Sequence, residues 1–267
     1  MNGATPTFLR IMPLIIVLLT VLACPAFSED IQTLIEKAEG GNPEVQFNLG
    51  VAYERGQGVP QDYAESIKWY RKAAEQGLAQ AQFNLGVAYD KGQGVPQDYA
   101  ESMKWYRKAA DQGLAQAQCN LGIAYERGQG VPQDYAESMK WYRMAAGQGL
   151  AEAQYNLGVA YYNGEIVSKD YAESMKWYRM AADQGHAAAQ CILGISYSDG
   201  HVVPQDYLLA YFWSTLASKS KTCGGDNSRV NYFYMDYAAN AARQLTPDQL
   251  TKAKQMIREW EEKHPTK

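Results

Sequence analysis

The sequence predicts an all-α fold, a solenoid of antiparallel helix pairs that repeats every 36 residues. Three observations predict it. The stretch GQGVPQDYAES occurs unchanged at Gly56–Ser66, Gly92–Ser102 and Gly128–Ser138. Trp69, Trp105, Trp141, Trp177 and Trp213 keep the same beat across five copies of a wider unit. Each unit also holds two stretches whose apolar residues fall on one helical face. A fixed period of this size means stacked supersecondary units, each burying its apolar face only against its neighbours. Such arrays present a surface rather than a catalytic pocket, so a binding scaffold is the first expectation.

Residues 1–28 stand outside the repeats. Arg10 is the sole charge before Glu29, and an apolar run from Ile11 to Ala23 follows it, interrupted by Pro13. A spanning helix needs about 20 apolar residues, so this run is too short. A positive start, a short apolar centre and small residues afterwards describe a secretory signal peptide over 1–28. Ala26-Phe27-Ser28 places small side chains at −3 and −1 of a cut before Glu29. Val21-Leu22-Ala23-Cys24 offers a competing reading as a lipobox with a lipid anchor at Cys24; Leu22 stands where a smaller residue is usual, which favours plain cleavage. No second apolar stretch is long enough to span a bilayer. The expectation is export, to a periplasmic or secreted location.

Residues 29–42 align with a second helix, since IEKAEGG falls where YRKAAEQG would, and are expected to cap the array. The first full unit is Pro43–Leu78. Val45, Leu49, Ala52 and Tyr53 lie at i, i+4, i+7 and i+8, one face of a first helix. Gly56 stops it as a left-handed C′ residue, and Gly58 and Pro60 keep the connection non-helical. Asp62 reads as the next N-cap, with Glu65 completing a capping box; Asp98/Glu101, Asp134/Glu137 and Asp170/Glu173 repeat the pair. The second helix runs from Tyr63 to about Glu75 with Ser66, Trp69, Tyr70, Ala73 and Ala74 on one face, and Gly77 ends it. Small residues at Gly50, Ser66, Ala73 and Ala74 let the two helices approach. Five such units fill 43–222. In the tail, 223–267, a loop at 219–228 leads to a helix over about 231–245. A last helix starts from Thr246 as N-cap and Pro247 at N1, carrying Leu250, Ala253, Met256, Ile257 and Trp260 inward.

The pattern LGxxYxxGxGVxxD followed by WYRxAAxQG resembles the Sel-one-like repeat family, a relative of the tetratricopeptide repeats. All five units carry its leucine-glycine, tyrosine, glycine, aspartate and tryptophan in register. The resemblance implies a right-handed superhelix of tetratricopeptide-like pairs, protein or peptide partners, and a terminal helix like LTPDQLTKAKQMIREW. The chain departs from the family at Ser66, Ser102, Ser138 and Ser174, where alanine is usual. Ile166 and Ser168 replace the loop Gly and Pro, and WSTLAS at Trp213–Ser218 replaces WYRKAA. This last change bears on the register of the fifth pair.

A ligand would sit outside the packed positions. Residues 44, 48, 51 and 55 lie opposite Leu49 and Tyr53, the face that lines the concave groove in related arrays. Position 48 is Asn48, Asn84, Asn120 and Asn156, then Ile192, and Arg55, Lys91 and Arg127 add cations beside the first three. A carboxamide donates to and accepts from a peptide backbone together. Tetratricopeptide domains clamp peptides with similarly placed asparagines, so these seven residues are the candidate partner-binding set. Two bland readings stand beside it: duplication copied the asparagines without function, or they satisfy buried loop groups.

The sequence carries 25 Lys+Arg against 29 Asp+Glu, a net charge of −4. Loss of 1–28 removes Arg10 and no acid, leaving no basic block of the kind a nucleic-acid ligand wants. Export would leave Cys119, Cys191 and Cys223, an odd count that makes no disulfide framework. Cys119 and Cys191 read as buried small hydrophobes, and Cys191–Cys223 is the one pairing entertained. His186, His201 and His264 are scattered and no His or Cys pair has metal-ligand spacing, so no metal, cofactor or catalytic residue is expected. Ser218-Lys219-Ser220-Lys221 satisfies Ser-x-x-Lys, but the companion motifs of penicillin-interacting enzymes are missing. Some cysteine-rich members of the resembled family are linked to β-lactam binding. A hydrolase or binder of cell-wall or β-lactam compounds is therefore the alternative to a non-catalytic adaptor.

Overall fold

A computed structural model describes residues 25–219 and 228–265. Among these there are thirteen helices and no strand. A leading helix, α1 (Pro25–Glu39), precedes five pairs: α2 (Pro43–Arg55) with α3 (Tyr63–Glu75), α4 (Ala79–Lys91) with α5 (Tyr99–Asp111), α6 (Ala115–Arg127) with α7 (Tyr135–Gly147), α8 (Ala151–Asn163) with α9 (Tyr171–Asp183), and α10 (Ala187–Asp199) with α11 (Tyr207–Lys219). Two tail helices follow, α12 (Ser228–Gln244) and α13 (Pro247–Lys263). Each helix from α1 to α11 packs on the next in sequence, and α13 folds back on α11. α1 begins at Pro25, four residues ahead of the expected start at Glu29. The rest of the expected signal peptide, with Cys24, lies outside the described residues.

The pairing follows from how each helix ends. Gly56, Gly92, Gly128, Gly164 and Gly200 are left-handed C-caps, with φ between 66° and 73°. The second helices close differently. Gly77 N–H donates to Ala74 O at 3.0 Å and Leu78 N–H to Ala73 O at 3.2 Å, the two bonds of a Schellman motif. The chain reverses in three residues and the next first helix starts at once.

The expected capping box at Asp62 is corrected to a cap of another design. The Asp62 carboxylate accepts from Ala64 and Glu65 N–H at 2.9 and 3.0 Å, as an N-cap should. The reciprocal bond from Glu65 does not form. The Asp62 N–H already donates to Tyr53 O at 2.9 Å, and Glu65 pairs with Lys68 one turn on. The same holds at Asp98, Asp134 and Asp170. The loop is thus tied back to the first helix, which frees the glutamate. A true capping box forms at Thr246 and Gln249.

Close approach within a pair depends on one glycine. A Cβ on Gly50 would lie 2.6 Å from Tyr70 Cδ1, and Gly86, Gly122 and Gly158 meet Tyr106, Tyr142 and Tyr178 the same way. The buried face of α2 is therefore Gln46, Leu49, Gly50 and Ala52, with Val45 and Tyr53 at its margins rather than its centre. In the fifth pair Ser214 stands where the tyrosine does, and a Cβ on Gly194 would meet its backbone N at 3.0 Å. The smaller residue is absorbed by closer helices, and α11 keeps the 36-residue register.

Candidate functional site

Two equivalent clefts open between consecutive first helices, one repeat apart. The first, about 100 Å³, takes Glu54 from α2, Tyr63, Ser66, Ile67 and Tyr70 from α3, and Phe83, Asn84, Val87 and Ala88 from α4. The second, about 160 Å³, takes Asp90 from α4, Tyr99, Ser102, Met103 and Tyr106 from α5, and Asn120, Ile123, Ala124 and Arg127 from α6. Second helices form the floor and first helices the walls. The apolar positions one turn from the asparagines, Val87 and Ile123, share each wall with them.

The candidate asparagines divide. Asn84 and Asn120 line the clefts. Asn156 points its amide at Cys119 Sγ, 3.7 Å away, and Asn48 is exposed on the leading unit. Of the cations, Arg127 lines the second cleft, while Arg55 and Lys91 are exposed at helix ends.

The floor holds a pairing that periodicity alone does not single out. The Tyr70 hydroxyl donates to Glu54 Oε2 at 2.6 Å, and Tyr142 to Glu126 Oε2 at 2.5 Å. Burial first, and then the carboxylate, pushes the Tyr70 and Tyr142 phenols well above their ordinary range. Asn84 and Ser66 beside the Tyr70 hydroxyl pull the other way. In the second unit the acid is Asp90, and the buried Tyr106 hydroxyl has no hydrogen-bond partner. Burial raises the Asp90 carboxyl, partly offset by Lys91 and Arg127.

Two further ladders hold the walls in place. Arg71, Arg107, Arg143 and Arg179 each donate to the tyrosine hydroxyl 18 residues on, at Tyr89, Tyr125, Tyr161 and Tyr197, so every second helix is stapled to the next first helix. Buried Gln82, Gln118, Gln154 and Gln190 donate to Ala74, Ala110, Ala146 and Ala182 carbonyls at 3.1–3.3 Å. The first three of them, with Gln46, accept from Gln112, Gln148, Gln184 and Gln76. Both ladders keep the 36-residue period, which was the signal available in the sequence for them.

The cysteines part company. Cys119 is free and buried, its thiol pushed up to about 12 chiefly by desolvation. Cys191 is buried, as expected, and is disulfide-bonded rather than a free thiol. The expected partner, Cys223, lies outside the described residues. Ser218, the serine of the Ser-x-x-Lys match, donates its hydroxyl to Thr215 O at 2.8 Å, as an ordinary helical serine does. His186 caps α10 and stacks on Tyr155, and His264 stacks on Trp260. Among the described residues no cluster has the makings of a metal site, and no helix is long and apolar enough to cross a membrane.

Stapled helix pairs with a row of clefts between their first helices define a helical-repeat scaffold. The family model of the Sel1 repeat matches residues 43–78, 79–114, 115–150, 151–186 and 187–221, and the chain belongs to that family. It is similar to c5321, a protective antigen present in uropathogenic Escherichia coli strains and displaying an SLR fold. That match has 36% identity and a TM-score of 0.69 over 79% of this chain and 48% of the antigen. The chain thus spans about half the length of that relative. A Sel1 repeat protein from Oxalobacter formigenes matches at 33% identity and a TM-score of 0.69, over 81% of this chain and 95% of the other. A Klebsiella pneumoniae putative sel1 repeat protein, at 17% identity and a TM-score of 0.50, shares the fold. No curated protein matches the chain. Proteins built of Sel1 repeats generally mediate protein–protein interaction, and the scaffold is typically non-catalytic.

Proposed function

We infer that this chain is an exported, non-catalytic adaptor that binds a protein or peptide along the concave face of its repeat array. The observation that carries the reading is the pair of equivalent clefts, each with an asparagine on its wall and a tyrosine on its floor. Equivalent subsites at a fixed step suit an extended chain, whose own chemistry also repeats. Export is supported by the residues 1–28 pattern and by the disulfide at Cys191, since disulfides persist in oxidising compartments. The Ser218 hydroxyl is already engaged, so the alternative of β-lactam chemistry gains no support.

Crosslinking in the native compartment, followed by mass spectrometry, identifies the bound protein. Its affinity for an Asn84→Ala/Asn120→Ala double variant should fall about tenfold or more, the effect of losing two amide hydrogen bonds. Unchanged affinity, with an unchanged thermal melt, would remove these asparagines from the site.

A further inference from the structure

Position 54 and its equivalents decide whether the floor tyrosine of a cleft is satisfied from within. In the first and third units a glutamate reaches the floor tyrosine, and the hydroxyl is satisfied inside the protein. The second unit has Asp90 instead. Its side chain is one methylene shorter, the cleft is larger, and the contact is lost. Tyr106 is 3% exposed, yet nothing in the protein accepts its hydroxyl proton. Asn120 and Ser102 flank that hydroxyl without completing a bond to it. Asp90 has Lys91 and Arg127 nearby but no ion pair among the described residues. An unsatisfied buried donor and a half-buried carboxylate therefore face one cleft across a gap.

We propose that the cleft between the second and third units is a specificity pocket for a primary carboxamide, the side chain of an asparagine or glutamine in an extended partner segment. The proposal rests on the groove reading above and names what one subsite selects. A carboxamide carries an acceptor and two donors in fixed geometry. Its carbonyl takes the Tyr106 hydroxyl proton, its N–H groups meet the Asp90 carboxylate, and Asn120 on the wall matches either end. A carboxylate is disfavoured, because it would face Asp90 in a site whose burial already opposes negative charge. A cation is disfavoured because Lys91 and Arg127 already act on Asp90. An aliphatic side chain would leave Tyr106 and Asp90 unanswered, and a site built to hydrogen-bond rejects a ligand that cannot.

The test uses the full chain and two capped peptides, acetyl-Gly-Gly-Gln-Gly-Gly-N-methylamide and its leucine counterpart, titrated by amide NMR. The caps carry no primary carboxamide of their own. The Gln peptide should bind about fivefold or more tightly than the Leu peptide, the effect of one or two hydrogen bonds, with shifts centred on Asn120. Asp90→Glu restores the missing methylene and should satisfy the Tyr106 hydroxyl from within, as Glu54 does for Tyr70. It should melt no lower than the parent and bind the two peptides within about twofold of each other. A Gln preference that survives Asp90→Glu would overturn the proposal. Equal binding of both peptides by the parent, with shifts at Asn84 and Asn120, would overturn the pocket and leave the groove standing. An absence of shifts at either asparagine would sink both.

Discussion

Tyr106 and Tyr142 hold the same position in consecutive repeats and differ in one hydrogen bond. Tyr142→Phe removes a bond to Glu126 and should lower stability by about 1 kcal/mol, whereas Tyr106→Phe removes a buried hydroxyl that has no partner and should be neutral or stabilising. Urea unfolding of the two variants checks the contrast, and equal losses would contradict it. A second residue-scale effect depends on pH. His186 replaces the leucine that precedes α4, α6 and α8 and binds Glu152 at 3.0 Å. The hydrogen bond from His186 holds the Glu152 carboxyl below its ordinary 4.5. A lowered carboxylate pKa contributes stability that is present above the unfolded value and lost as pH falls through the folded one. Melting temperature should therefore drop on acidification below about 4.5 more in the parent than in His186→Leu. Glu152 is about half exposed, so the difference should stay under about 1 kcal/mol. Neither effect was legible in the sequence: an Asp-for-Glu change looks conservative, and a lone His-for-Leu change looks incidental, until the partner's distance is known.

At the scale of the helix, the buried glutamines do what apolar packing cannot. Gln118 donates to the Ala110 carbonyl near the end of α5 and accepts from Gln148 at the end of α7. One side chain thus joins three helices. Gln118→Leu keeps the volume but leaves the Gln148 amide and a buried carbonyl without their partner. It should cost about 2–3 kcal/mol, read as a lower midpoint in urea with an unchanged slope. A loss under about 0.5 kcal/mol would mean that the ladder is incidental. Helix boundaries were legible because glycine and aspartate mark them chemically. Tyr63 to Glu75 and the Thr246 cap come out as the pattern predicts. The glutamines were not recognised, although they repeat at 36 residues, because a polar residue beside Leu49 or Leu121 reads as the solvent side of an amphipathic helix. The glutamate expected in a capping box was misplaced for a related reason. Its competitor, the Tyr53 carbonyl, is nine residues away in sequence and visible only once the loop is folded.

For the whole array, stability is a sum over units and their interfaces. Deleting Ala79–Leu114 joins Leu78 to Ala115, which stands where Ala79 stood, and should leave a folded, shorter array. Removing 231–267 should do more harm, because α13 brings Ile257 and Trp260 against the core that holds Tyr178, Leu193 and Trp213. Circular dichroism melts of both deletions decide the matter. An internal deletion that unfolds, beside a tail deletion that melts like the parent, would contradict the additive picture. The fold was legible almost entirely, since a repeat announces itself five times. The candidate site was legible only in part. The asparagines repeat as well, yet Asn156 is turned toward Cys119 while Asn84 and Asn120 line open clefts, and that division depends on neighbours in the next unit.

The three unchanged loops create a hazard during folding that the finished array conceals. The second helix of the first unit can dock on the third unit nearly as well as on the second, because the faces it meets are almost the same. Such a slip would extrude one 36-residue unit as a loop. Closing that loop costs only about 3 kcal/mol of chain entropy, so the penalty must come chiefly from the stranded unit's lost interfaces. A slipped chain would still look helical and would hold its ends correctly. The irregular residues of the later units then act as place markers: His186 meets Glu152 in the true register but a glutamine, Gln116 or Gln80, after a slip of one or two units, so pairing that begins there favours the true register.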